Sequence, residues 1–167
     1  MDVEEKLTEL AHGCAIEAEH SNFNSDELRY DSNPLCGKFF QEFMWANGFD
    51  VSPDGTKVHN ERWNSFTKIS NLDVATRSKL IKKALSYLFP DQKFSVKSSR
   101  YAGGNSIDIK WENGVPSHTV EQTGIASFFG DDYHYVFLER KYSDDVIEQY
   151  KTSEWDVDWG ELAKTPF

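Results

Sequence analysis

Residues 94–111, FSVKSSRYAGGNSIDIKW, are the part of this chain that most clearly indicates its fold class. Two runs of alternating apolar and polar residues, 94–99 and 106–111, flank a Gly-Gly pair. Such alternation is typical of strands that bury one face. The pattern therefore predicts a β-hairpin in which Ile107, Ile109 and Trp111 lie on the same side.

The segments around this hairpin predict the remaining elements of the fold. Residues 73–89 have helical periodicity, with Asp73 as the N-cap and Pro90 after the last turn. Residues 117–129 predict a second helix, and residues 133–142 predict a third strand. This order predicts an α+β fold, in which a small antiparallel sheet of the hairpin plus the third strand packs against helices.

The N-terminal part, residues 1–70, is predicted to be mainly helical. Residues 2–19 and 35–47 predict helices, and residues 21–34 predict a loop. Short strands are expected at 49–51 and 57–59, around the Pro53-Asp54-Gly55 turn. The length of 167 residues fits a single domain over residues 1–167. Residues 1–70 either belong to it or form a subdomain, 73–143 form the α+β module, and 144–167 form an acidic tail.

The module also carries short motifs in a recognisable order, from FSVKS at 94–98 to YVF at 135–137, followed by Arg140 and Tyr142-Ser143. Over about residues 73–143 these motifs resemble the twenty-ninth of the large polyvalent protein-associated domains of phages and mobile elements. In this sequence Glu112-Asn113 stands where the resembling pattern has an acidic residue followed by glycine. Between the FSVKS and YVF motifs, the resembling residues are Gly103-Gly104, SIDI at 106–109 with Trp111, and NGVP at 113–116.

The resemblance implies a protein encoded by a phage, a plasmid or an integrated element, and it implies no enzymatic activity. Small acidic products of such elements often inhibit host defence. By this analogy of genomic context, the expected function is an inhibitor of the anti-CRISPR or anti-restriction type. The expected partner is a protein with a basic surface, such as a CRISPR effector or a restriction complex.

The charge distribution bears on the choice of partner. The net charge is −10, which argues against a general nucleic-acid binder. Residues 1–31 contain nine acidic and two basic residues, 68–100 contain eight basic and two acidic residues, and 144–161 contain seven acidic residues and one basic residue. These charges either balance within the fold or leave an acidic surface that competes for a basic groove on another macromolecule.

The tail combines carboxylates with two indoles. Trp155 and Trp159 either dock back on the body or anchor a partner, since tryptophan is a frequent hot-spot residue. On a helix, their spacing of four would place both indoles on one face. The predicted partner-binding residues are Asp144, Asp145, Trp155, Asp156, Asp158 and Trp159.

The basic middle segment supports an alternative function as an accessory domain that binds single-stranded nucleic acid. Cations beside exposed rings are what such binding requires, and the sequence predicts Trp111 as a second stacking ring beside Tyr101. Otherwise the lysines form a solvated helix face. The predicted residues for this alternative are Lys79, Lys82, Lys83, Lys97, Arg100 and Tyr101.

The hydroxyl- and glycine-rich loop at 98–106 allows two interpretations. Its backbone N–H groups could cradle a phosphate with help from Arg100, although the spacing is not that of a P-loop. Alternatively, Gly103 and Gly104 provide the positive φ angles of a hairpin connection. We expect no cofactor, no metal site and no catalytic set, because the five histidines are scattered and no metal-ligand spacing occurs.

The two cysteines, Cys14 and Cys36, are too few for a disulfide framework. No secretion signal and no apolar run long enough to span a bilayer is present in this sequence. The expectation is therefore a protein of the host-cell cytoplasm with both thiols reduced and no membrane contact.

Overall fold

In a computed structural model, residues 2–21, 34–131 and 133–166 are described. The loop expected at 21–34 lies almost entirely outside these residues. The described elements form an α+β fold, as predicted. They are α1 (Val3–Glu19), α2 (Pro34–Ala46), β1 (Lys57–Asn60), β2 (Ser65–Lys68), a 3-10 turn (Ile69–Asn71), α3 (Val74–Leu88), β3 (Ser95–Tyr101), β4 (Gly104–Glu112), α4 (Ser117–Gln122), α5 (Ile125–Phe129), β5 (His134–Lys141), α6 (Asp144–Gln149) and α7 (Trp159–Lys164).

The main sheet has the strand order β3-β4-β5, and its hairpin is the predicted one. β3 and β4 pair antiparallel, with Val96 opposite Ile109 and Ser98 opposite Ile107. β5 pairs parallel to β4, so the expectation of an entirely antiparallel sheet is wrong for this strand. The reason is that the connection between β4 and β5 contains α4 and α5, and a helical crossover returns the chain in the same direction.

The predicted helix at 117–129 is interrupted. Gly124 has a φ of 79° between α4 and α5, which a continuous helix cannot contain. In the N-terminal part, Val51 forms only an isolated bridge to Val58. The strand partner of β1 is instead β2, an element that the sequence did not predict.

The core lies between the helices and the inner face of the sheet. α2 buries Phe39, Phe40, Phe43 and Met44, which form one apolar stripe of the predicted helix. The Phe40 ring stacks on Phe128 of α5 with ring centroids 4.6 Å apart. Aromatic side chains of this size account for much of the buried area in a chain with few aliphatic residues.

The expectation of two reduced thiols is wrong in this structure. Cys14 of α1 and Cys36 of α2 form a disulfide, and both residues are fully buried. The cysteines lie on the buried faces of two helices that pack side by side, which brings their Cα atoms to 4.6 Å. This distance lies within the range that a disulfide requires.

Arg77 of α3 is charged, yet it is completely buried. Its guanidinium donates to the carbonyl oxygens of Leu72 and Phe129, each at 3.0 Å, and to the side chain of Asn105. Burial lowers the pKa of Arg77, and the negative charge of Asp131 opposes that shift. Arg77 thus connects α3, α5 and β4 from inside the core.

Among the described residues, no helix combines the length and the apolar character that a membrane span requires.

Candidate partner-binding surface

The tail presents Trp155 at the tip of a tight loop. Lys151 and Val157 form an antiparallel bridge at the base of this segment, residues 151–157, which we call the Trp155 loop. The Ser153 hydroxyl accepts hydrogen bonds from the backbone amides of Trp155 and Asp156, at 3.4 and 3.2 Å. Trp155 itself is 87% exposed. A large apolar ring is therefore held away from the core by a loop with defined internal hydrogen bonds.

The second indole lies in a different element. Trp159 is the first residue of α7, whereas Trp155 precedes that helix, so the two do not share a helix face. The Asp158 side chain caps α7 by accepting from the Glu161 amide at 3.2 Å. Trp159 is 54% exposed, and its ring centroid is 6.3 Å from that of Tyr142. Trp159 is thus half packed on the body, whereas Trp155 is not.

Arg140 holds the C-terminal helix on the body. This side chain is buried at the end of β5, and its guanidinium carbon lies 5.0 Å from the centroid of the Tyr142 ring. Burial lowers the pKa of Arg140, and the neighbouring Tyr142 hydroxyl opposes the shift. An arginine remains charged in such a site and offers five donors. The carbonyl oxygens that accept from it belong to Asn113, Gly114, Leu162, Ala163 and Thr165.

The four predicted aspartates are all exposed. Asp144 and Asp145 occupy the first turn of α6, where negative charge is favourable at a helix N-terminus. Nearby, Lys151 pairs with Glu148 at 2.8 Å. Within the described parts of the chain, none of the salt bridges involves Asp144, Asp145, Asp156 or Asp158. Their negative charge is therefore not neutralised by those lysines and arginines.

The lysines of the basic middle do not form one patch with Lys97. Lys79, Lys82 and Lys83 are exposed on the side of α3 that faces away from the sheet. Lys97 instead lies on the outer face of the sheet, opposite Asp108 of β4. The alternative nucleic-acid surface is thus divided between two sides of the fold.

The arginine and the aromatic residues predicted for that alternative surface already bond to other residues of the chain. Arg100 forms a salt bridge with Asp73 at 2.9 Å, and Tyr101 is exposed while its hydroxyl donates to the Asn105 carbonyl. Trp111 is only 4% exposed, and its indole donates to the Val115 carbonyl at 2.8 Å. The expectation that Trp111 is a stacking surface is therefore wrong.

The Gly-Gly pair is explained by the hairpin. Gly103 has a φ of +90°, which favours glycine, whereas Gly104 does not have a positive φ. Gly104 is required for a different reason, because a Cβ atom there would lie 2.5 Å from the Tyr133 carbonyl oxygen. Both glycines thus have a backbone role that does not involve a phosphate.

A cavity of about 630 Å³ lies between α1, α4 and the end of α3. At its wall the Ser21 hydroxyl donates to the Ala18 carbonyl at 2.8 Å and lies 3.2 Å from Nε2 of His118. The Ser21 hydroxyl has one proton, and in this arrangement it donates that proton to the Ala18 carbonyl. A serine nucleophile would need to donate to the histidine instead. Over residues 2–21, 34–131 and 133–166, no group of histidine, cysteine and acidic side chains is placed to hold a metal ion.

The sequence does not predict a structural role for either buried arginine, although a local signal exists for one of them. Arg77 is spaced three and four residues from Val74 and Ile81, within the apolar stripe of α3. A charged residue at such a position indicates either an interrupted stripe or a buried and fully bonded side chain. The role of Arg140 depends on carbonyls from distant segments, and no local pattern predicts it.

Residues 72–135 match the family model of the large polyvalent protein associated domain 29. The match runs from the residue before Asp73 to the second residue of β5, within the region that the sequence motifs indicated. It confirms the resemblance and supports an association with phages or mobile elements. No curated protein and no solved structure is detectably similar to this chain.

Proposed function

We propose that this protein is a non-enzymatic inhibitor of a host defence system, of the anti-CRISPR or anti-restriction type, that binds a basic surface of its target through the acidic tail. The single observation that carries the proposal is the presentation of Trp155, 87% exposed on an internally bonded loop among carboxylates. The site of action is the host cytoplasm, where effector and restriction complexes work.

The Trp155 loop has the properties of an interface anchor. A tryptophan that enters a pocket on a partner is among the side chains that contribute most to affinity. The hydrogen bonds around Ser153 fix the loop before binding, so less conformational entropy is lost when the complex forms. The Arg140 contacts hold the adjoining helix α7 in the same way.

The four aspartates have a separate role. Unpaired carboxylates attract a positively charged partner over several ångströms and accelerate association, and salt screens this effect. A groove that binds the phosphates of nucleic acid carries the complementary charge. An acidic surface that occupies such a groove would exclude the nucleic acid on which a defence complex depends.

The test is a binding measurement with a guide-loaded CRISPR effector and a restriction endonuclease, each immobilised, at about 0.05 M and about 0.5 M salt. We expect a complex that weakens at high salt. Trp155→Ala is expected to accelerate dissociation about tenfold or more, whereas replacing Asp144, Asp145, Asp156 and Asp158 by asparagine is expected to slow association.

Trp45→Ala is the matched control, because Trp45 is an exposed tryptophan on α2, outside the tail. It should leave both rates unchanged. Absence of any complex at low salt, or equal affinity of the Trp155→Ala variant and the unmodified protein, would refute the proposal.

Binding of single-stranded nucleic acid through the basic middle stays a prediction. Its signature is an affinity that falls steeply with salt and that weakens when Lys82 and Lys83 are changed to glutamate. Unchanged affinity in that variant would remove this alternative.

A further inference from the structure

The outer edge of β5 offers backbone hydrogen-bonding groups to a partner. The Lys141 carbonyl accepts from the Asn113 amide at 2.7 Å, so Lys141 turns its backbone toward β4. On the opposite side, the His134 amide donates to the Asp131 carboxylate at 2.8 Å. Because strand residues alternate, the N–H and C=O groups of Val136 and Leu138 point to the side away from β4. No described residue outside the sheet bonds to them.

Among the described residues, nothing gives this edge the usual protection. Exposed strand edges are commonly guarded by proline, by charged side chains or by a covering element. The middle of β5 consists of Tyr135, Val136, Phe137 and Leu138. The charged residues of this strand lie only at its C-terminal end. Tyr135 and Phe137 are 44% and 51% exposed on the outer face. An apolar edge of this kind pairs readily with another strand.

A groove runs beside the edge. It has a volume of about 300 Å³ and lies between β5 and the helices α4 and α5. Tyr135 and Val136 form one wall, while Ala126, Ser127 and Gly130 form the other, together with the acidic residues Glu121 and Asp131.

The two carboxylates in the groove differ in their surroundings. Asp131 accepts hydrogen bonds from the Ser70 hydroxyl and from two backbone amides, so its oxygens are occupied. Glu121 is half-buried, and no described residue donates a hydrogen bond to its carboxylate or pairs with it in a salt bridge. Burial raises the pKa of Glu121, and His118 opposes that shift. A cation in the groove would offset the unfavourable burial of the Glu121 charge.

We propose that the β5 edge binds an extended segment of a partner protein as a fourth strand, with a lysine or arginine side chain of that segment in the groove beside Glu121. The backbone groups of Val136 and Leu138 would supply the pairing, and the groove would select the side chain. This surface is separate from the Trp155 loop, and its test does not depend on the function proposed above.

A second copy of this chain fits the groove less well than a foreign segment. If two β5 strands paired with each other, the cation on the inner face of the partner strand would be Arg140. That side chain already donates to five carbonyl oxygens within its own chain. It is therefore not available to the Glu121 of another molecule.

The experiment is an NMR titration of the full chain, labelled with nitrogen-15, with a blocked heptapeptide of sequence TVTKTVT. Alternate valine and lysine side chains would face the groove if this peptide added to the sheet. We expect the amide signals of Val136 and Leu138 to shift at millimolar peptide. Replacing the peptide lysine with norleucine, or Glu121→Gln in the protein, should weaken binding about fivefold, as expected for loss of one charge pair.

Glu139→Gln is the matched control, since Glu139 pairs with Lys110 at 3.5 Å on the outer face and does not line the groove. It should leave the affinity unchanged. Absence of shifts at Val136 and Leu138, or equal binding of the norleucine peptide, would overturn the proposal. Broadening of these signals with protein concentration alone would also overturn it, because the edge would then belong to a second copy.

Discussion

The disulfide between Cys14 and Cys36 can be removed without changing the surface of the protein, since both residues are fully buried. It joins α1 to α2 across a sequence separation of 22 residues. Reduction leaves the helices and their apolar contacts in place, so its main effect falls on the unfolded chain, which gains conformational freedom.

The expected loss follows from that separation. For a closed loop of 22 residues, the chain-entropy relation gives about 3.4 kcal/mol at 25 °C. For a protein of 167 residues, this corresponds to a melting temperature lower by about 7 to 14 °C. The loss is smaller than the total stability of most domains, so we expect the reduced protein to remain folded at 25 °C. The proposed action in the host cytoplasm, which is reducing, requires a protein that stays folded without the disulfide.

The assay is thermal unfolding followed by circular dichroism, with and without a phosphine reductant. Alkylation of the unfolded protein, read by mass spectrometry, reports how many thiols are free. The Cys14→Ala/Cys36→Ala double variant is the control, because its melting temperature should not respond to the reductant. Equal melting temperatures of the oxidised and reduced protein would refute the reasoning, as would two alkylated thiols in the untreated protein.

Three further outcomes are expected. Arg140→Lys should lower stability by about 2 kcal/mol or more, and hydrogen exchange should show lost protection in α7. Burial and the Glu4 carboxylate raise the pKa of Tyr87 to about 12. The hydrogen bond from Tyr87 to Glu4 therefore contributes fully to stability below pH 10, and this contribution is lost as the pH rises through about 12. In an ultraviolet titration, the Tyr87→Phe variant should lack the phenol that ionises near pH 12. Gly104→Ala should destabilise by about 2 kcal/mol or more, since its Cβ would meet the Tyr133 carbonyl at 2.5 Å; an unchanged denaturation midpoint would contradict this.

The sequence determined those elements whose signals are local. Helix α3 begins where Asp73 caps it, and the Ala75 amide donates to that carboxylate at 3.1 Å. The hairpin follows from alternation and from a turn that only Gly103 fits easily. Periodicity, capping and turn chemistry act within a few residues, so they can be read without knowing the rest of the fold. The family motifs belong to the same hairpin and its surroundings.

The structure of the tail could not be predicted from local sequence patterns. Its acids and tryptophans are evident in the sequence, but the choice between docking on the body and exposure is not. The structure leaves Trp155 exposed and packs Trp159 partly against Tyr142. That difference depends on where Arg140 holds α7, and the partners of Arg140 come from segments more than twenty residues away.

Contacts between residues far apart in the sequence are set by the packing of the whole chain. The pairing of Cys14 with Cys36, the burial of Arg77 and the parallel direction of β5 each depend on how helices pack across the sheet. The position of β5 at the edge of the described sheet, beside Glu121, arises in the same way. Local periodicity fixes which face of an element is apolar, but the partner of that face is set by packing of the whole chain.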